Sequence, residues 1–306
     1  MKKYNVVIVG GGFAGLTCCL RLIQHDIPCM IIEKGHNLLG KVCGDALTVS
    51  ALQYFNQIGI DPTMIEGKKV YSKKIYKDGS LIAEYKFSEL FEMDFEYGVS
   101  RDLLIEHLLR AALANGATIT WNHTCSSIEN RNKEFCIDGT FLADEVVLAC
   151  GVNDRRLRSF IQGDLPKDFP VGMSARVQGD CEFSSDSFHY FYSDRYGNGY
   201  AWLFPVGNHI WNIGIYGCER FRLKQLYDSF EKQIFHHSSP IKYLRAPGGA
   251  LIGATKEPIT NSHPFLAAGD CSFSARYETG EGISFAVRDG IAAADRIISL
   301  YRKNHI

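Results

Sequence analysis

The feature that most constrains this 306-residue chain is a glycine-rich turn near its start, between a buried strand and a helix. The unbroken β-branched run at residues 6–9 predicts a parallel strand covered on both faces, and a helical pattern follows within three residues. Gly10 permits the tight turn, Gly12 lets the backbone approach a pyrophosphate, and Gly15 lets the helix lie close to the strand. The pattern predicts a dinucleotide-binding βαβ unit with the phosphates at the helix N-terminus.

Glu33 ends the second strand of this unit, 18 residues after Gly15. An acidic side chain at that place can accept hydrogen bonds from a ribose 2′-hydroxyl, which favours an unphosphorylated ribose, as in FAD or NAD. The alternative explanation of such glycines is a strand-to-helix turn that binds nothing. Because strand, glycine spacing, helix, second strand and acid all agree, we predict dinucleotide binding.

The amino-acid composition indicates which kinds of partner and which cellular compartment are compatible with this chain. The 33 basic and 34 acidic residues nearly cancel, so nothing in the net charge indicates a nucleic-acid partner. The ten cysteines show neither a CxxC pair nor zinc-ligand spacing, so we expect no metal and mostly reduced core thiols in a cytoplasmic protein. No apolar run reaches transmembrane length and no targeting sequence is visible, which leaves peripheral membrane contact open.

Two patterns alternate along the chain. Strands and helices in turn predict a Rossmann-like FAD-binding domain made of residues 1–67, 98–170 and 254–306. Short strands, with a turn at Asp78-Gly79, predict an interleaved substrate domain made of residues 68–97 and 171–253. The predicted fold class is therefore α/β, with an antiparallel-sheet domain inserted into the FAD-binding domain.

Two local expectations concern the FAD-binding domain. Apolar residues at helical spacing predict a helix over residues 46–58. A buried run over residues 145–149 predicts a strand of its own, after small antiparallel strands in 123–144.

Aromatic residues mark a strand of the substrate domain. Alternation over residues 200–207 sends Tyr200, Trp202 and Phe204 to one face. Two roles stay open for this aromatic wall, contact with a substrate and the core of the sheet. Near the C-terminus, Asp270 ends a strand and faces the start of a long helix, a common way to hold the ribityl and pyrophosphate parts of a flavin.

With these segments in view, the chain resembles the geranylgeranyl reductase family of FAD flavoproteins, within the p-hydroxybenzoate hydroxylase-like superfamily, over nearly its whole length. Residues 10–15 with Glu33 match the FAD adenylate motif, and residues 43–45 resemble the Cys-Gly patch beside the flavin. Residues 200–205 and 214–217 resemble the YxWxFP…GxxG motif of the substrate sheet. Gly269-Asp270 and residues 279–283 match the GD motif and the glycine turn by the isoalloxazine.

The resemblance implies a set of site residues. Those implied to bind the cofactor are Gly10, Gly12, Phe13, Ala14, Gly15, Glu33, Lys34, Cys43, Gly44, Arg101, Gly151, Gly269, Asp270, Gly280, Gly282 and Ile283. Those implied to contact the substrate are Tyr200, Trp202, Phe204, Pro205, Gly214 and Gly217, and those implied to be catalytic are Cys43, Tyr200 and Trp202. For Cys43 two roles stay open, a proton donor and a structural thiol.

The resemblance implies an FAD-dependent oxidoreductase that reduces carbon–carbon double bonds of a prenyl or other apolar substrate by hydride transfer from reduced flavin. Its partners would be an apolar small molecule or lipid and an electron-transfer protein. A flavin-dependent monooxygenase or halogenase acting on a small aromatic or apolar substrate shares the fold and is the alternative. Halogenases carry WxWxIP where this chain has residues 200–205, which counts against them. A non-catalytic FAD- or lipid-binding protein is a third class, disfavoured because the residues of the flavin's reactive end are present.

Two departures from the superfamily pattern affect these expectations. The GADGxxSxVR segment corresponds to residues 149–158 here, and Cys150 replaces the aspartate usually tied to both FAD and NAD(P)H. The electron donor is therefore left open between NAD(P)H and a reduced ferredoxin-like protein, and we predict slow reduction by NADPH. The sequence also ends soon after the last helix, from which we expect a less enclosed prenyl tail or a shorter substrate.

Overall fold

The glycine-rich segment near the N-terminus folds into strand, turn, helix and parallel strand, as the sequence predicts. The computed structural model of the protein describes residues 1–131, 134–154, 169–217, 220–236, 240–255 and 265–304. Residues 155–158, the basic part of the segment that carries Cys150, lie outside the described residues.

Strands and helices alternate in the first half of the described chain, and strands dominate the second. The strands are β1 (Lys2–Val9), β2 (Cys29–Ile32), β3 (Ala46–Leu47), β4 (Gly67–Val70), β5 (Ser72–Lys77), β6 (Ser80–Lys86), β7 (Glu96–Val99), β8 (Thr118–Thr120), β9 (Ile128–Arg131), β10 (Glu134–Ile137), β11 (Phe141–Leu148), β12 (Val171–Gln178), β13 (Ser187–Tyr192), β14 (Tyr200–Gly207), β15 (Ile210–Gly217), β16 (Lys242–Leu251) and β17 (Leu266–Ala267). The helices are α1 (Phe13–Ile23), α2 (Val49–Gln57), α3 (Phe87–Leu90), α4 (Arg101–Ala114), α5 (Leu223–Ile234) and α6 (Ile283–Asn304).

The first sheet has the order β8-β2-β1-β11-β10-β9, with β17 parallel to β11. In β1, Val6 and Ile8 face a core that includes α1, α2, α4 and α6, while Val7 and Val9 face a second core on the other side. Burial on both faces explains the unbroken β-branched run of this strand. α1 lies so close to α6 that a Cβ at Gly290 would collide with the carbonyl oxygen of Ala14.

Two expectations for this half need correction. Residues 145–149 do not form a strand of their own, because β11 runs without a break from Phe141 and pairs with β10 antiparallel and with β1 parallel. The helix expected from residue 46 starts at Val49, because Ala46 and Leu47 pair with β7 and the Thr48 hydroxyl accepts the Ala51 N–H at 3.3 Å as the cap.

The second sheet has the order β16-β12-β15-β14-β13-β5-β6, and a small third sheet has the order β3-β7-β4. α5 covers one face of the second sheet, where Ala201 and Leu203 of β14 point. The alternate residues of β14, Tyr200, Trp202 and Phe204, form an aromatic cluster on the opposite face, as predicted. β7 crosses β14 so closely that a Cβ at Gly98 would collide with the carbonyl oxygen of Pro205.

The described residues contain no helix that is both long and apolar enough to cross a membrane. The division of the chain into a FAD-binding domain and a substrate domain stays a prediction.

Candidate functional site

A cavity of about 680 Å³ is lined by the glycine turn of the first sheet and by the aromatic face of the second. Its size lies within the range typical of small-molecule and cofactor sites. It brings together most of the residues singled out from the sequence: Gly10, Gly12, Phe13, Ala14, Glu33, Lys34, Cys43, Gly44, Arg101, Gly151, Tyr200, Trp202, Phe204, Gly269, Asp270, Gly280, Gly282 and Ile283. Gly15, Pro205, Gly214 and Gly217 are not among its lining residues.

Each glycine of the turn has a different steric environment, which explains why a side chain would be tolerated or excluded there. Gly10 has φ +110°, and a Cβ there would collide with the carbonyl oxygen of Ala149 on the neighbouring strand. A Cβ at Gly15 would collide with the carbonyl oxygen of Gly10, so this residue sets the approach of α1 to the sheet. At Gly12 a Cβ would meet nothing within 4 Å, because the position faces the open cavity. Space at the N-terminus of α1 is what a pyrophosphate needs.

Glu33 lies at the cavity with its carboxylate held by backbone. Oε2 accepts a hydrogen bond from the N–H of Gly11 at 2.7 Å, and Oε1 accepts one from the N–H of Gly35 at 2.8 Å. Each oxygen keeps a free lone-pair direction, since a carboxylate oxygen accepts more than one bond. The carboxylate is therefore held in one orientation and can still accept further hydrogen bonds.

Asp45 forms the polar centre on the other side of the cavity. Its side chain is fully buried and bridges three elements. Oδ1 accepts the N–H of Arg101 at 2.9 Å, and Oδ2 accepts Nη2 of Arg176 at 2.7 Å, Nε of Arg176 at 2.9 Å and Nδ2 of Asn212 at 2.8 Å. A buried carboxylate with this many donors is a strong constraint on the loop that carries it.

Cys43 lies two residues before Asp45 and shares one hydrogen-bond partner with it, Asn212. The carbonyl oxygen of Cys43 accepts Oγ of Ser174 at 2.9 Å, Nδ2 of Asn212 at 2.8 Å and Nη2 of Arg245 at 3.1 Å. Burial, and then the negative charge of Asp45, raise the pKa of the Cys43 thiol. The thiol is therefore protonated at neutral pH and holds a proton at the cavity wall.

Trp202 is both a lining residue and a core residue. The residue is 6% exposed, its Nε1 donates to Oδ1 of Asn212 at 2.8 Å, and its ring stacks on Phe204 with ring centroids 5.9 Å apart. A Cβ at Gly214 would collide with the Trp202 ring, so Gly214 packs behind the aromatic wall. Tyr200 is anchored through its hydroxyl, which donates to the carbonyl oxygen of Thr279 at 2.6 Å.

The C-terminal segments close the cavity from a third side. Asp270 pairs with Lys41, with Oδ2 and Nζ 2.7 Å apart, and this contact joins the segment after β17 to the loop before Cys43. Gly280 has φ +70°, and a Cβ there would press into the ring of Tyr216. The side chain of Glu281 accepts Oγ1 of Thr48 at 2.8 Å and so connects the start of α6 to the start of α2.

Several of these partners were not singled out from the sequence, notably Ser174, Arg176 and Arg245. The sequence could have indicated Ser174 and Arg176, because these two polar residues are two positions apart in an otherwise mostly apolar strand and so share one face of it. Arg245 could not be singled out in this way, because its strand mixes polar and apolar residues without a clear alternation. Among the described residues, no group of three histidine, cysteine or acidic side chains is placed to hold a metal ion.

Glu96 is a buried carboxyl near this site. Burial raises its pKa to about 7, although Nζ of Lys73, a lining residue, lies 3.3 Å from its Oε1. An unfolded glutamate titrates near about 4.3. The folded protein thus binds this proton more tightly than the unfolded chain does. Its contribution to stability is present below the unfolded pKa and is lost as the pH rises through about 7.

We therefore expect Glu96→Gln, which mimics the protonated form, to stabilise the protein at about pH 8 by on the order of 2 kcal/mol and to change little at about pH 5. Thermal melting at the two pH values measures the effect. Glu89→Gln is the control, because Glu89 is exposed and should show no such pH dependence. An equal shift for Glu96→Gln at both pH values would show that its carboxyl is not the titrating group.

Comparisons with known proteins agree with this geometry. The chain belongs to the pyridine nucleotide-disulphide oxidoreductase family, whose model matches residues 4–182. A digeranylgeranylglycerophospholipid reductase of Sulfolobus acidocaldarius is 24% identical, over 98% of this chain and 70% of the relative.

Two solved structures share the fold. A geranylgeranyl bacteriochlorophyll reductase-like protein from Thermoplasma acidophilum has a TM-score of 0.81 at 23% identity, covering 99% of this chain and 80% of the other. PqsL, a probable FAD-dependent monooxygenase from Pseudomonas aeruginosa, has a TM-score of 0.75 at 14% identity, covering 98% and 87%. The predicted fold class, the resemblance to geranylgeranyl reductases and the assignment to FAD-dependent oxidoreductases are confirmed. The roles of the individual site residues stay predictions.

Proposed function

We propose that this flavoprotein reduces carbon–carbon double bonds of a prenyl or other apolar chain. The observation that supports this most is that the aromatic wall of Tyr200, Trp202 and Phe204 lines the same cavity as the glycine turn. An apolar chain against these rings would lie beside the reactive end of a dinucleotide held at the turn. Relatives named for geranylgeranyl and digeranylgeranyl substrates support the same class of substrate.

The described residues fit FAD. The N-terminus of α1 beside Gly12 would hold the pyrophosphate, Glu33 would accept from the ribose hydroxyls, and Asp270 with the Gly280-Gly282 turn would lie at the flavin end. When bound and reduced, FAD supplies the hydride for the double bond.

The protein's own part is to position the substrate and to hold a proton. Cys43 keeps its proton on Sγ, because burial and the charge of Asp45 raise its pKa, and it lines the cavity together with Trp202. We assign to Cys43 the donation of the proton that completes the saturated carbon. Tyr200 and Trp202 would fix the chain, since both rings are themselves fixed by hydrogen bonds to Thr279 and Asn212.

A flavin-dependent monooxygenase is the second candidate, and the likeness of the fold to PqsL is the observation that favours it. Such enzymes share the fold, so the fold does not decide between the two reactions. The two candidates differ in how electrons arrive. Cys150 lines the cavity where the superfamily pattern has an aspartate tied to NAD(P)H, which favours a donor other than a nicotinamide.

We expect the bound flavin to be reduced slowly by NADPH and rapidly by dithionite or a reduced ferredoxin-like protein. Stopped-flow absorbance under anaerobic conditions measures both rates on one preparation. Rapid bleaching by NADPH would contradict the assignment of the donor and favour the monooxygenase.

The proposed reduction is tested by letting an apolar substrate reoxidise the reduced protein. Dithionite-reduced protein is freed of excess reductant and mixed anaerobically with a geranylgeranyl lipid, and the return of the yellow absorbance is followed. We expect reoxidation with the unsaturated lipid and none with its fully saturated analogue. Equal rates with both lipids, or no reoxidation by either, would overturn the proposal.

A further inference from the structure

Two sulfur atoms are in close contact near the cavity, one on a residue that lines it and one on a buried residue, and the reaction proposed above uses neither. Sγ of Cys150 is 3.2 Å from Sγ of Cys271, although the residues are 121 positions apart in the chain. Cys150 lies two residues after the end of β11, lines the cavity and is partly exposed. Cys271 lies next to Asp270 and is fully buried behind it.

This arrangement pairs an accessible sulfur with an enclosed one. A disulfide bond is about 2.05 Å long, so the two sulfurs need to approach by only about 1 Å. The hydrogen bond with Cys150, and then burial, raise the pKa of the Cys271 thiol. Cys271 therefore stays protonated at neutral pH. Cys150 lines the cavity and is the sulfur that a small molecule in the cavity can reach.

We propose that Cys150 and Cys271 form a reversible redox-active dithiol that a peroxide oxidises to a disulfide. The Cys150 thiol releases its proton, the resulting thiolate attacks one peroxide oxygen, and the O–O bond breaks. The hydroxide that leaves takes up that proton as the first water, and Cys150 is left as a sulfenic acid. The Cys271 sulfur then attacks the Cys150 sulfur, the S–S bond forms, and the hydroxyl leaves as a second water with the Cys271 proton. The two thiols lose two electrons and the peroxide gains them.

The location of the two cysteines suggests where the peroxide comes from and what the disulfide would change. Reduced flavins that meet dioxygen release hydrogen peroxide, and Cys150 lines the cavity that we assign to the flavin. The disulfide would tie the end of β11 to the segment that presents Asp270, whose carboxylate holds Lys41 across the cavity. A thiol reductant returns the two electrons and reopens the link.

A second pair of cysteines in this chain provides a control, because its two sulfur atoms are about as close together but do not line the cavity. Sγ of Cys19 and Sγ of Cys29 are 3.3 Å apart, nearly the same separation. Both residues are buried in the core around α1, and neither is among the lining residues of the cavity. A difference in oxidation rate between the two pairs therefore reports access rather than spacing.

The test exposes the purified flavin-loaded protein to hydrogen peroxide, blocks the remaining thiols with N-ethylmaleimide, and maps tryptic peptides by mass spectrometry. We expect the peptides of Cys150 and Cys271 to become linked at least about tenfold faster than those of Cys19 and Cys29. Dithiothreitol should release them. Tandem fragmentation is needed because Cys136 lies on the same tryptic peptide as Cys150.

Two variants check the order of events. In Cys271→Ser the reaction should stop at the sulfenic acid of Cys150, which dimedone traps, and in Cys150→Ser no link should form. The proposal is overturned if Cys150 stays reduced, if it oxidises without linking, if it links to the neighbouring cavity residue Cys125, or if both sulfur pairs link at the same rate.

Discussion

Replacing Gly12 with aspartate is expected to abolish flavin binding while leaving the fold intact. A Cβ at this position meets nothing within 4 Å, so the new side chain has room. Gly12 is also the N-cap of α1, with extended backbone and no side-chain cap, and aspartate is among the residues preferred there. The same carboxylate would stand where the pyrophosphate must lie and would repel it. We expect colourless protein that cannot be reconstituted with FAD and that melts within about 2 °C of wild-type apoprotein.

Two controls frame this result. Gly249→Asp adds the same group at an exposed glycine outside the cavity lining, where a Cβ would have ordinary contacts, and should leave the flavin bound. Gly10→Ala should instead destabilise the protein, because its Cβ would collide with the backbone of Ala149. A yellow Gly12→Asp protein with the flavin content of the wild type would contradict the placement of the pyrophosphate.

Removing the carboxylate of Asp45 is expected to have the largest effect on stability. Asp45→Ala leaves the Arg176 guanidinium, whose side chain is only 12% exposed, without its partner. Loss of one member of a buried ion pair destabilises by roughly 3 to 5 kcal/mol. For a chain of this size that corresponds to a fall in melting temperature of roughly 6 to 20 °C, which circular dichroism measures.

The control for Asp45→Ala must account for backbone strain, because Asp45 has φ +59° and alanine tolerates such a conformation poorly. Asp78→Ala supplies it, since Asp78 has φ +48° and is exposed in the turn between β5 and β6. Asp45→Asn, which keeps the shape and suits positive φ, should lose less than Asp45→Ala. If Asp45→Ala and Asp78→Ala were equally destabilised, the buried hydrogen-bond network of Asp45 would not be a major source of stability.

What could be predicted from the sequence is mostly what is local in the sequence. The glycine turn and Glu33 belong to one strand–turn–helix–strand segment, whose geometry sets the positive φ of Gly10 and the close approach of Gly15 to Gly10. The close contact of Gly10 with Ala149 is the exception, because it comes from a strand that is distant in the sequence. The aromatic wall could be predicted because strand alternation alone decides the face that Tyr200 and Trp202 share.

The polar network could not be predicted, because its members meet only through sheet register. Arg176 lies 131 residues from Asp45 and Asn212 lies 167 residues away, and the pairing of β12 with β15 brings both to one place. The break wrongly expected before residue 145 has a similar cause, since β11 pairs with β1 along its whole length while β10 pairs with its other edge only at residues 141–143. A sequence motif also does not distinguish a glycine that packs against an aromatic ring, as Gly214 packs against Trp202, from a glycine that lines a cavity.

The mass of the product tests the proposed reaction most directly. Reduced protein is incubated anaerobically with a geranylgeranyl lipid and a continuous supply of dithionite, and the lipid is extracted for mass spectrometry. The proposal predicts a gain of two hydrogen atoms for each double bond saturated, absent from the Gly12→Asp protein treated alike. No hydrogenated lipid in this reaction, together with a gain of one oxygen atom when NADPH and air replace dithionite, would contradict a reductase and identify a monooxygenase.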